Sequence, residues 1–188
     1  QETLFPYTTL FRSGRMNRAD PRAVYDDLYE TSNTSEVEPE RFDALVDGEP
    51  FTTGWVTVAS VLDSEGRILL IYDEDDEAWM MPGGTLQPGE TLVESVVREV
   101  DEEAGVEIVP ERPHSAIEAA CTDGDRSAAF TVVGFEATPE TTAVGTDLGV
   151  EDESITDAAW FSELPENLFA RDHAEALLER ARDEPAAQ

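Results

Sequence analysis

The order of its apolar runs predicts an α+β domain. Three observations carry this: two β-branched runs flank a four-residue turn at residues 55–72, a capped amphipathic segment covers 92–104, and extended runs then resume before a final helical pattern at 170–182. Strands and helices that do not alternate regularly argue against a purely parallel sheet.

The elements follow in order. Residues 1–15 contain one acidic residue and two arginines in an otherwise acidic chain. They resemble a translated sequencing-adapter read-through, so Met16 is the expected start and 1–15 a non-native leader. Asp20-Pro21 reads as N-cap and N1 of a short helix over 21–29, and a second helix is expected over 39–46, which makes 16–50 a helical N-terminal extension. Packing on the core, closing over a substrate and forming a homodimer contact are all open to these helices.

Residues 55–62 and 67–72 read as a hairpin around Asp63-Ser64-Glu65-Gly66, and Trp79 and Met80 extend towards a glycine loop. The acidic run 73–77 lacks the glycine and distal glutamate of an EF-hand loop and reads as a solvated turn. Residues 106–109, 116–122 and 128–137 read as strands, with Asp123-Gly124-Asp125 turning between the last two. A loop rich in Thr, Gly and acid covers 138–152, a strand 155–161 and a helix 170–182, and 184–188 is expected to fray.

With 188 residues the chain is long enough for one domain with a real core. It has 43 acidic and 12 basic residues, all twelve arginine, for a formal charge of -31. Such charge is largely screened only at molar salt, where the Debye length is about 3 Å. A salt-loving cytoplasm, as in a halophilic archaeon, is therefore expected. The 40% hydrophobic content argues against a disordered acidic chain. The clustered Lys and Arg that would hold duplex DNA or an anionic membrane are missing. Cys121, the single cysteine, excludes an intrachain disulfide and reads as a small apolar residue. No apolar run approaches the roughly 18 residues that span a bilayer.

The segment 92–104 carries the chemistry. Thr91 and Glu94 form a capping-box pattern, and Gly105 stands where a left-handed residue ends a helix. Leu92, Val93, Val96, Val97, Val100 and Ala104 fill one arc, and Glu99, Glu102 and Glu103 occupy the arc beside it. Glutamates at this spacing repel one another unless a cation lies between them. A hard divalent cation takes oxygen ligands and leaves positions for water and phosphate, which points to phosphate chemistry. A merely solvated acidic face is the plainer alternative. Before the helix, Gly83 and Gly84 can bring bare backbone close to a metal or phosphate.

Residues 84–106, GTLQPGETLVESVVREVDEEAGV, match at every specified position the pattern G, five residues, E, seven residues, R-E-aliphatic-x-E-E-x-G-aliphatic. This resembles the Nudix box, a far more specific signal than a lone GxGxxG. The resemblance sharpens the fold to a Nudix-type α/β/α sandwich with a mixed sheet over 51–183. It implies hydrolysis of a nucleoside diphosphate linked to another moiety, with Mg²⁺ or Mn²⁺ as cofactor. By resemblance Glu102 and Glu103 are the main metal ligands and Glu99 a third, with Glu102 the preferred base. Arg98 orients Glu99, Glu90 secures the loop, the Gly83 carbonyl is a backbone ligand, and Gly84 lies at the substrate. Glu153 is the expected carboxylate outside the box, with Glu151 as runner-up.

Trp55, Trp79, Phe130 and Trp160 lie in expected strands, where core packing takes precedence over stacking on a base. His114 and His173 have no partner at metal-ligand spacing and read as surface residues. A nucleotide-sensing module on the same fold is the alternative function, though such modules often have a degenerate box. Isoprenyl diphosphate isomerisation ranks third, because no second metal or cysteine constellation supports it.

Overall fold

A computed structural model describes residues 20–150 and 153–183. The expected leader at 1–15, the tail at 184–188 and the runner-up Glu151 lie outside the described residues. Among the described residues, eight strands form two sheets. β1 (Tyr29–Glu36), β6 (Ile108–Asp123), β7 (Arg126–Pro139), β2 (Trp55–Val61) and β5 (Gly83–Thr85) lie in that order in the larger sheet, and β4 (Ala78–Met80), β3 (Ile68–Asp73) and β8 (Ile155–Phe161) in the smaller. β1 runs parallel to β6 and β2 parallel to β7, while the remaining pairs are antiparallel, so the larger sheet is mixed as expected.

The helices are α1 (Pro39–Val46), α2 (Glu49–Thr53), α3 (Leu92–Ala104) and α4 (Arg171–Asp183). The period of two in β3 assigns the layers. Leu69 and Ile71 join Val96 and Val100 of α3 in the main core, whereas Ile68 and Leu70 join Ala174 and Leu178 of α4 in a second one. β3 is thus buried on both faces between the two long helices, which makes the sandwich. Fully burying each of these aliphatic side chains contributes about 1.5–3 kcal/mol.

Residues 55–72 do not form the expected hairpin. Asp63 does make the turn, its Oδ1 accepting from the Glu65 and Arg67 amides at 2.9 Å each. Yet both edges of β2 are occupied, by β7 and β5, so β3 passes into the other sheet and only the Leu62–Ile68 bridge joins the two runs.

The expected helix at 21–29 is also corrected. Asp20 caps a single 3-10 turn, Pro21–Ala23, and Tyr29 begins β1. The polar run YETSNTSE has neither helical periodicity nor an apolar face and is held by pairing with β6 along its whole length. The expected helix at 39–46 forms as α1.

Residues 106–109 and 116–122 prove to be parts of one strand region, with β6 continuing through Pro110 and Pro113. The register against β7 shifts at both prolines, which lack the ladder N–H. His114 sits at the second shift and, contrary to the surface reading, is 1% exposed. Its Nε2 lies 3.3 Å from Ser60 Oγ. A Cβ on Gly134 would stand 3.0 Å from the His114 ring, so the glycine leaves room for it. Burial holds the imidazole down to about 4, hence neutral.

Candidate active site

α3 is defined by local chemistry at both ends. Thr91 Oγ1 accepts from the Glu94 amide at 3.2 Å, and Glu94 Oε2 accepts from the Thr91 amide at 2.9 Å. Gly105 ends the helix at φ 61°, where a side chain would be strained and its Cβ would stand 2.6 Å from Gly145 Cα. Leu92, Val96, Val100 and Ala104 point into the core, which aims Glu99 and Glu103 at β5.

β5 meets them with glycine. A Cβ on Gly84 would lie 2.6 Å from the Glu99 carboxylate, and one on Gly83 would lie 2.1 Å from the Thr57 carbonyl oxygen. The bare backbone therefore lets the helix carboxylates touch the strand. The Gly83 amide donates to Glu103 Oε2 at 2.7 Å. The resemblance assigned Gly83 a carbonyl role, whereas this contact is made by its amide.

Arg98 joins the box together. Its Nε donates to Glu90 Oε1 at 2.7 Å, Nη1 to Glu102 Oε2 at 2.8 Å, and Nη2 to Glu99 Oε1 at 2.8 Å and the Thr85 carbonyl at 3.2 Å. Only a planar fork of donors serves that many acceptors from one side chain. The Arg98 hydrogen bonds hold the Glu90 carboxyl below the usual range, and those same carboxylates make Arg98 hold its proton more firmly.

Glu99 is 3% exposed and Glu103 is 5% exposed. Burial pushes both carboxyls up, with Arg98 opposing the shift at Glu99 and the Gly83 amide opposing it at Glu103. For Glu103, burial and the neighbouring Glu99, Glu153 and Glu102 carry the group up to about 9.

Glu153 completes the group. One carboxylate oxygen from each of Glu99, Glu103 and Glu153 lies within 4.8 Å of the others. Glu153 arrives on the acidic loop after β7, which is tied to the end of α3: the Gly145 amide donates to the Ala104 carbonyl at 2.8 Å and the Gly149 amide to that of Glu102 at 2.7 Å. Glu102, a main metal ligand on the resemblance, is held by Arg98, which also holds Glu99. Three convergent carboxylates, two of them buried, form an all-oxygen donor set that fits a hard divalent cation.

One buried contact escaped the sequence reading. Thr57 Oγ1 and Ser95 Oγ pair at 3.0 Å, both fully buried, and lock α3 to β2 one turn before Glu99. Serine among valines marks Ser95, but nothing local marks Thr57 as its partner. Trp79 packs edge-on against Tyr72 and Phe161, and Phe130 against Phe51, so neither is a free stacking platform. Trp55 and Trp160 pack at the margin of the main core.

The NUDIX domain family matches over residues 52–178. The chain is 34% identical over 123 residues to human 8-oxo-dGDP phosphatase NUDT18, covering 63% of this chain and 36% of that protein. It is 33% identical over 97 residues to the protein of Bacillus subtilis described as a putative ADP-ribose pyrophosphatase, YjhB, covering 48% of this chain and 47% of that one. The chain thus spans about a third to a half of the length of these curated relatives. In fold it is similar to a MutT protein structure from Bacillus halodurans, with a TM-score of 0.53 and 22% identity over 69% of this chain and 82% of that one.

Proposed function

The chain belongs to the Nudix family, and we propose that it is a divalent-metal-dependent diphosphohydrolase. Its substrate on this reading is a nucleoside diphosphate linked to another moiety, such as ADP-ribose or a nucleoside triphosphate, with water attacking phosphorus. The observation that carries the reading is the convergence of Glu99, Glu103 and Glu153 within 4.8 Å, two of them buried and, among the described residues, with no paired cation beyond Arg98.

Glu99, Glu103 and Glu153 are the residues that would hold Mg²⁺ or Mn²⁺. When bound, such an ion neutralises phosphate charge and lowers the pKa of water. The chain's own groups do the rest. Arg98 fixes Glu99 and Glu102 in place, and the Gly83 amide orients Glu103. Glu102 has its Oε2 engaged by Arg98 and takes the proton of the attacking water at Oε1. Gly84 leaves the face of Glu99 clear for a diphosphate.

No described helix is long and apolar enough to cross a membrane. The charge of -31 supports work in a cytoplasm at molar salt. The test is hydrolysis at molar KCl across a panel of nucleoside diphosphate derivatives, with Mg²⁺ and with EDTA. Metal-dependent product from at least one substrate is expected. No product from any substrate, alongside measurable nucleotide affinity, would favour a sensing module instead.

A further inference from the structure

Phe169 is the most exposed large apolar side chain among the described residues, at 58%. A single exposed ring is ordinary on a protein surface, but the backbone that presents this one is not. Residues 167–169 run parallel to β4: the Trp79 amide donates to the Asn167 carbonyl at 3.0 Å, and the Phe169 amide donates to the Trp79 carbonyl at 2.8 Å. Asn167 Nδ2 also donates to the Glu77 carbonyl at 3.1 Å. Glu77 and Ala170 flank this bridge, with φ of 51° and 48°, and among the described residues they are the only ones other than glycine at positive φ. Left-handed backbone at a residue with a side chain persists only where its surroundings hold it, and it gathers at sites that grip a ligand.

The bridge also fixes where the ring lies. Trp79 and Leu168 are paired, and both join the second core beneath α4. Side chains alternate along extended backbone, so Met80 and Phe169 lie on the opposite face of the smaller sheet. There Met80 packs against the main core that Val96 and Val100 of α3 complete. α3, the helix that carries Glu99 and Glu103, lies on that same side. From Met80 the chain reaches Gly83 in three residues, at most about 11 Å of backbone.

We infer that the Phe169 ring is the platform on which the base of the nucleotide substrate stacks. This rests on the reading of the Glu99, Glu103 and Glu153 site as one for a nucleoside diphosphate. Of the parts of such a ligand, only the base offers a flat apolar face to a ring with neither charge nor hydrogen-bonding group. The contact is not ionic, so it holds at the molar salt that screens the charge of -31. Because every base has a π face, Phe169 sets the preference for a nucleotide over a base-free diphosphate and leaves the choice among bases to other groups.

The test is calorimetric titration of the full chain at molar KCl with Mg²⁺. The probes are α,β-methylene-ADP and α,β-methylene-GDP, whose bridging carbon resists hydrolysis, and methylenediphosphonate, which has no base. Phe169→Ala is expected to bind both nucleotides about 5- to 150-fold more weakly than the wild type. Phe169→Leu, apolar but without a π face, should be similarly weak, and Phe169→Trp should match the wild type. Methylenediphosphonate should bind all four proteins alike, with unchanged far-ultraviolet circular dichroism. Wild-type nucleotide affinity in Phe169→Ala or Phe169→Leu, or an equal loss of methylenediphosphonate binding, overturns the inference and leaves the diphosphate site standing. Failure of the wild type to bind any of the three probes overturns both.

Discussion

The Gly83 amide donates to Glu103 Oε2 at 2.7 Å, across twenty residues of sequence and from a strand whose glycine has no room for a side chain. Gly83→Ala would put a methyl 2.1 Å from the Thr57 carbonyl oxygen and force β5 off β2. Overpacking of this kind costs about 1–3 kcal/mol, and an ångström of misplacement near the chemistry costs about 10²-fold in rate. Gly84→Ala meets a side-chain carboxylate instead of backbone, so it should cost less stability than Gly83→Ala while still displacing Glu99. Thermal melts and turnover of the two variants check this ordering.

Arg98→Lys should be far from conservative. The guanidinium serves Glu90, Glu99, Glu102 and the Thr85 carbonyl together, and an ammonium cannot span those positions. A loss of about 1–3 kcal/mol of stability is expected, most of it from the buried Glu99 carboxylate left unpaired among half-buried neighbours. Turnover should fall by at least about tenfold, as with other outer partners of metal ligands. Chemical denaturation and steady-state kinetics read the two effects separately.

Protonation of Glu103 should tie the stability of the metal-free protein to pH. The folded chain keeps this proton up to about 9, whereas the unfolded chain releases it near 4.5. Folding therefore takes up a proton in that window, and this contribution is fully present below 4.5 and lost as pH rises through about 9. Glu103→Gln should flatten the decline, and a saturating divalent cation should flatten it by holding the carboxylate ionised. Melting temperatures from pH 5 to pH 9, with and without metal, measure the slope.

The Thr57–Ser95 hydroxyl pair should behave as a coupled unit. Thr57→Val leaves the Ser95 hydroxyl buried without its partner and should cost about 1–3 kcal/mol. Adding Ser95→Ala removes the orphaned group, so the double variant should lose less than the sum of the single losses. A double-mutant cycle by denaturant unfolding gives the coupling.

Features set by neighbours in sequence could be read directly. The Thr91–Glu94 capping box, the Gly105 stop and the Asp123–Asp125 turn are local, and α3 begins and ends at the expected residues. Pairing partners are not local. β2 and β3 look like hairpin arms, but β7 and β5 already hold both edges of β2. β1 has no apolar face, so its strand state depends on β6, and Pro110 and Pro113 look like a break where β6 bends and continues. His114 carries no sequence sign that a bulge and Gly134 make room for it inside the protein.

The same division holds at the site. The spacing of Glu99 and Glu103 places them on one helix face, and the structure brings them together with Glu153, which the resemblance and its place just before β8 suggested. That one guanidinium holds Glu102 as well as Glu99 and Glu90 depends on side-chain geometry that motif spacing does not encode. The tie between the acidic loop and the end of α3, through Gly145 and Gly149, is likewise tertiary, yet it is what delivers Glu153.

The central claim is that Glu99, Glu103 and Glu153 hold a divalent cation. It is tested most directly by titrating Mn²⁺ into the wild-type, Glu99→Gln and Glu103→Gln proteins at molar KCl, with calorimetry or the Mn²⁺ paramagnetic signal as readout. The wild type should bind, and each variant should bind at least the ~10–100-fold more weakly that loss of even an outer partner costs. Wild-type affinity retained in both folded variants would contradict the assignment.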